Sequence, residues 1–205
     1  MNSDYAEGIG TRKVESDLSS KEYARHIRSR IDDYGTIVNT ANYGLRMSQI
    51  GDRGATHVSI LVPNGDAVAN LTLHRFGCGK MSNSTGLILN DHMADFSLPN
   101  SDTSEEFTPF PNNYIEPGKR PLSSLVPAIF TDRSGDVRLV IGASGDDRTV
   151  TSVTLVCSRY LWLGQGLKEA IDARRIHHQL VPNILYYEQG LLRLIRDGFE
   201  GMEAN

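Results

Sequence analysis

Little in this chain supports a fold held together by covalent links or metal ions. Only two of its 205 residues are cysteine, Cys78 and Cys157. That is too few for a disulfide framework, and neither belongs to a CxxC pair of the kind that binds zinc. Cys157 falls within an apolar helical run and reads as a small buried side chain. No apolar stretch approaches the ~20 residues that cross a bilayer. The opening Met1-Asn2-Ser3-Asp4 is polar and acidic, unlike a secretory leader. Basic residues number 21 against 25 acidic ones, mixed along the chain with a net charge of −4. Without a Lys/Arg stripe, nucleic acid is excluded as a partner. Internal repeats and low-complexity tracts are absent as well. A soluble chain with no anchor is expected, cytoplasmic if expressed as it stands. Two N-x-[ST] sequons, at Asn70 and Asn83, pull the other way. Only Asn83 is placed to carry a glycan, and only in a secreted chain, because Asn70 falls inside an expected strand.

The hydrophobic fraction of 39% is enough for one domain with a core. Residues 1–18 are polar and irregular. Ser19, with Glu22 three residues on, forms a capping box that opens a helix to about Ile31, with Tyr23, Ile27 and Ile31 on one face. Residues 32–54 are rich in Gly, Asn, Asp and Ser and read as a linker, exposed at Gly51-Asp52-Arg53-Gly54. From Ala55 onward the pattern changes. Val58, Ile60 and Val62 alternate with His57 and Ser59 as in a half-buried strand. Pro63-Asn64-Gly65-Asp66 turns the chain, and Ala67 to Leu73 returns. Residues 97–120 form a long proline-bearing loop.

Val126 to Thr131 and Val137 to Ile141 make a second hairpin around Asp132-Arg133-Ser134-Gly135. Helices follow at Thr149 to Trp162 and Leu167 to Ala173, then a short strand near Ile184 to Tyr187 and a last helix from Leu191. Strand pairs followed by covering helices make an α+β fold with a mostly antiparallel sheet.

Five segments carry more than secondary structure: Thr56-His57-Val58-Ser59; Gly86-Leu87-Ile88-Leu89-Asn90-Asp91-His92-Met93-Ala94-Asp95-Phe96-Ser97; Pro117-Gly118-Lys119-Arg120-Pro121-Leu122-Ser123-Ser124; Gly142-Ala143-Ser144-Gly145; and Arg175-Ile176-His177-His178-Gln179-Leu180-Val181-Pro182. Together, in this order and at this spacing over roughly residues 11–190, they resemble the γ-glutamyltransferase (γ-glutamyltranspeptidase, glutathione hydrolase) family. The resemblance implies an N-terminal-nucleophile αββα sandwich, here its partial, small-subunit half. It also implies γ-glutamyl transfer and glutathione breakdown with no cofactor and no metal. On this resemblance residues 1–54 correspond to a remnant of the C-terminal end of the family's large subunit, and residues 55–205 to a small-subunit-like domain.

Such enzymes cut their own chain just before a threonine. Its hydroxyl then attacks the γ-glutamyl carbonyl while its own amine takes the proton. In this chain the family's Thr-[Thr/Ala]-His motif reads Ala55-Thr56-His57, so the nucleophile position is Ala55, which has no hydroxyl. Thr56 is a poor substitute, because alternation along a strand turns it to the opposite face.

Further site positions follow from the resemblance. Asp95 stands where an aspartate grips the substrate α-ammonium, and Ser123 and Ser124 where a serine pair binds the α-carboxylate. Thr72 stands near a threonine of the family's Thr-x-Asn feature. Gly145 matches the first glycine of the oxyanion hole, at a helix N-terminus with unbonded N–H groups, but the second is Asp146. A carboxylate ~4 Å from a developing oxyanion opposes it by about 4 kcal/mol at an effective dielectric near 20.

Without the resemblance, Asp95 reads as a loop cap, the serines as partners of nearby backbone, and Asp146 and Asp147 as N-caps. His92 replaces a glutamate that also contacts the ammonium. Adjacent His177 and His178 diverge too far to share a metal and read as structural.

Three functions fit these residues. The chain is a non-catalytic relative acting through binding or assembly, or an active γ-glutamyl hydrolase completed by a separate large subunit, or an engineered nucleophile knockout. Asp146 and His92 speak against the last, because a knockout changes one residue. The partners expected are γ-glutamyl compounds such as glutathione, bound weakly or not at all. A large-subunit-like protein or a second copy would cover sheet surface left open. Family members act at the plasma membrane or outside the cell, which leaves the compartment open.

Overall fold

The computed structural model describes residues 19–33, 35, 37, 56–72, 81–87, 89–90, 92–97, 113–121, 123, 125–145, 147–180, 182–191 and 197. Two compact units are distinguished among them. One draws on Gly51–Ser97 and Pro121–Ala173, the other on Met1–Ile50, Leu98–Arg120 and Arg174–Asn205.

The first unit is built on two antiparallel hairpins. Strand β1 (Thr56–Leu61) pairs with β2 (Ala67–Thr72), and β3 (Ala128–Thr131) pairs with β4 (Val137–Ile141). Both turns fall where the Asn/Gly and Asp/Ser/Gly clusters predict them. Gly65 and Gly135 take φ of +93° and +95°, a conformation open to glycine at no steric cost. Helix α2 (Arg148–Leu161) lies over the second hairpin. Val153 and Cys157, one helical turn apart, meet Leu139 of β4, with Phe130 and Ile141 packed alongside, and Val156 of the same helix is buried as well. Val153 and Cys157 are 4% exposed, so the cysteine is the buried residue that the sequence pattern predicts, and burial pushes its thiol pKa up. Helix α3 (Leu167–Asp172) follows, with Ala170 buried.

The β1–β2 hairpin departs from expectation. Val58 and Ile60 alternate as predicted, but the face they share with Val68 is about half exposed, and the better-covered residue of β1 is His57. The returning strand ends at Thr72; residues 73–80 lie outside the described set.

In the second unit, α1 (Lys21–Arg28) begins one residue later than the capping box places it. The cap is Ser20, whose Oγ accepts from the N–H groups of Glu22 and Tyr23 at 3.1 and 3.3 Å. A hydroxyl reaches the N2 and N3 donors only from the residue where the helical path starts, and here that is Ser20. Ile31 falls beyond the helix and is exposed, while Tyr23 and Ile27 are half-buried. The segment that carries the paired histidines contains a short strand that the sequence pattern does not reveal, β5 (Ile176–His177), paired with β6 (Tyr186–Tyr187). Arg175 closes this pair: its backbone N–H and guanidinium donate to Glu188 at 2.7 to 3.1 Å. Most of the expected linker, the long loop and the terminal helix lies outside the described residues.

Candidate functional site

Strand β1 reaches the start of the candidate site through His57. Its ring lies against the backbone of Gly142, so closely that a Cβ on Gly142 would overlap the imidazole. Glycine is therefore required where β4 passes into the Gly142-Ala143-Ser144-Gly145 loop. The Nε2 of His57 lies 2.7 Å from Ser59 Oγ, and Ser59 in turn donates to the carbonyl of Val140 at 3.4 Å. Nδ1 is buried without a hydrogen-bond partner. A buried lone pair costs less than a buried orphan N–H, so the proton belongs on Nε2 and the imidazole donates to Ser59. In that tautomer His57 cannot take a proton from Ser59, and the pair is a brace between β1 and β4 rather than a nucleophile–base dyad. The motif reading singles out His57 without giving it this contact. A histidine and a serine two apart on a strand share a face, which is the signal that was available.

The loop after β4 ends at Gly145, with φ +147°, and its would-be Cβ sits 3.4 Å from Thr149 Oγ1. This backbone strains any side-chain-bearing residue, and Gly145 lies two residues before Asp147, the cap position of α2. Asp147 occupies the cap position of α2 but makes no side-chain cap bond, contrary to the capping expectation. Its backbone is already helical (φ −51°, ψ −26°), and a cap needs the extended conformation that lets the carboxylate swing back over the N–H groups. Asp146 lies outside the described residues, as do Ala55 and Ser124.

Thr72 is placed by its backbone at the end of β2, as the cross-strand partner of Thr56, the neighbour of Ala55. Ser123 is exposed, and its Oγ accepts the Leu125 N–H at 3.2 Å, which is the local turn contact that serines make wherever they sit. Asp95 ends a 3-10 turn (His92–Asp95) beside buried Phe96. Its carboxylate Oδ2 lies 2.8 Å from His92 Nδ1. Sequence reasoning treats His92 as the loss of an acidic contact and misses that it pairs with Asp95. Residues three apart in a 3-10 turn eclipse one another, so the H-x-x-D spacing held the signal once that turn was recognised.

His177 is buried, with Nε2 3.2 Å from Gln179 Oε1 and its ring 6.0 Å from that of Tyr186. His178 bonds Asn183 instead. The two rings thus have different partners, His177 at the end of β5 and His178 just beyond it. Among the described residues no group of three His, Cys, Asp or Glu side chains is arranged to hold a metal. Nor is any described helix long and apolar enough to cross a membrane.

The γ-glutamyltranspeptidase family profile matches residues 3–204. The chain belongs to that family. Scoloptoxin SSD14 of Scolopendra dehaani is 41% identical over 192 residues, covering 90% of this chain and 33% of the toxin. The chain thus spans about a third of that relative's length. An Arabidopsis thaliana protein provisionally named inactive glutathione hydrolase 4 is 38% identical over 192 residues, covering 92% of this chain and all of that protein. Among solved structures, a threonine-to-alanine mutant of the Helicobacter pylori γ-glutamyltranspeptidase superposes with a TM-score of 0.60 at 30% identity. That match covers 73% of this chain and 82% of the mutant chain. The fold is accordingly the α+β, N-terminal-nucleophile hydrolase type that the motifs of this γ-glutamyltranspeptidase relative imply.

Proposed function

We propose that this γ-glutamyltranspeptidase-family chain does not turn over γ-glutamyl substrates and keeps part of their binding site. The observation that carries the proposal is Ala55 at the nucleophile position. Without a side-chain hydroxyl no ester forms with a γ-glutamyl group, and the same missing oxygen is needed for self-cleavage between Gly54 and Ala55. Asp146 in place of the second oxyanion glycine adds to the defect, because it keeps the backbone N–H but brings a carboxylate that opposes a developing oxyanion. In this reading Asp95, Ser123, Ser124 and Thr72 line a residual pocket for γ-glutamyl compounds such as glutathione, with Gly145 at its oxyanion end.

Residues 1–54 stand in for the end of a large subunit and 55–205 for the small one. A large-subunit-like partner is proposed to cover the half-exposed face of Val58, Ile60 and Val68.

Chromophore release from a γ-glutamyl anilide, read alongside the intact mass of aged protein, tests the proposal. No release and an uncut Gly54–Ala55 bond are expected. Ala55→Thr alone should remain inactive. Clear turnover by the unaltered chain would overturn the proposal, and turnover by Ala55→Thr alone would point to a single engineered change.

A further inference from the structure

Asp95 is the carboxylate on which the residual pocket relies for a substrate ammonium, and in this chain it is already engaged. His92 Nδ1 lies 2.8 Å from Asp95 Oδ2, with the two side chains 23% and 14% exposed. The local fold delivers this contact. The 3-10 turn stacks position 92 over position 95, and the His92 backbone N–H is tied to Asn90 Oδ1 at 3.2 Å. The imidazole N–H takes up Oδ2 of Asp95, so an alkylammonium would have to share a part-buried carboxylate that already has a donor in place. In a mostly buried setting the donor that is built in holds its place more firmly than it would at a surface.

We infer that His92 fills the ammonium subsite of this chain, so that the pocket no longer selects ligands that carry an α-amine. A five-carbon dicarboxylate with the amine, L-glutamate, and one without it, glutarate, should then bind alike. The inference rests on the reading of Asp95 proposed above, and it makes His92 the residue that determines specificity.

Calorimetry on the full chain with L-glutamate and with glutarate tests it. The unaltered chain is expected to show no preference for L-glutamate. His92→Ala and His92→Ser, which leave Asp95 without the imidazole, should each tighten L-glutamate by about 10- to 100-fold, the scale of one charge-assisted hydrogen bond. Glutarate affinity should stay unchanged. Adding Asp95→Asn to His92→Ala should remove the gain. A tenfold or greater preference for L-glutamate in the unaltered chain would overturn the inference. So would a failure of both His92 variants to gain L-glutamate affinity, or a gain that survives Asp95→Asn. Anilide hydrolysis by the unaltered chain would refute the non-catalytic reading instead, and the binding ratios would still decide the role of His92.

Discussion

Hairpins β1–β2 and β3–β4 make the same bend. In each, a glycine at φ near +94° donates its N–H three residues back, Gly65 to Val62 and Gly135 to Asp132, at 2.9 and 3.1 Å. In each, an aspartate carbonyl closes the turn, Asp66 to Val62 and Asp136 to Asp132. The strands alternate in both. Their burial differs all the same. Leu139 is buried beneath α2, whereas Val58, Ile60 and Val68 are 49%, 46% and 51% exposed. Among the described residues, only the second hairpin is followed directly in sequence by a helix whose apolar side chains meet it. Alternation makes a strand and gives it two faces; what covers a face is decided by another element.

The largest test of that contrast truncates one residue from each hairpin. Leu139→Ala should cost about 2–5 kcal/mol of stability through lost burial and a cavity under α2. Ile60→Ala should cost less than about 1 kcal/mol in the chain by itself. Urea unfolding of both variants reads the difference, and equal losses would break the comparison.

A smaller effect lies where the hairpins meet. Gly142→Ala drives a methyl into the His57 ring, and overpacking of this kind costs about 1–3 kcal/mol. With His57→Ala in the same chain that cost should fall sharply, because the obstructing ring is gone. A double-mutant cycle with no coupling would show that His57 does not hold β1 against β4.

The smallest effect extends the comparison to β5–β6, a pair fastened by polar bonds. Burial pushes the Glu188 carboxyl up, but hydrogen bonds and charge from Arg175, with Arg174 assisting, outweigh it and hold the pKa below the usual glutamate range. A depressed carboxylate pKa adds stability that is complete above the unfolded value and fades as pH falls through the folded one. Because the pair is more than a third exposed, solvent screening keeps its worth under about 1 kcal/mol. Melting temperatures of the unaltered chain and Glu188→Gln should differ slightly and constantly above about pH 5 and converge in stronger acid. A gap that does not change with pH would contradict this assignment.

Much of the architecture was legible before any coordinates. Both hairpins follow from alternation bounded by Asn, Asp, Ser and Gly, and α2 and α3 begin and end within a residue of their periodic patterns. The misreadings are local choices between near-equal options. Ser19 and Ser20 offer the same hydroxyl to the same turn, and only the backbone path chose Ser20. Asp147 has the right side chain for a cap and the wrong backbone. Strand β5 is two residues long, too short for any periodicity to show. The family was legible as ordered motifs, and the family match over residues 3–204 agrees with it; the candidate site positions rest on those motifs. The contacts within the site were not legible.

By itself, then, the sequence determined the family, the hairpins and the main helices, and it is the sole ground for reading Ala55 as the nucleophile position, because each is written in residue type, order or local spacing. Only the tertiary structure decided that His57 rests on Gly142, that His92 occupies Asp95, and that one apolar face lies under α2 while the other stays half open. The first and last depend on residues far apart in sequence meeting at ångström range. The His92–Asp95 contact depends on a turn type that no local propensity specifies.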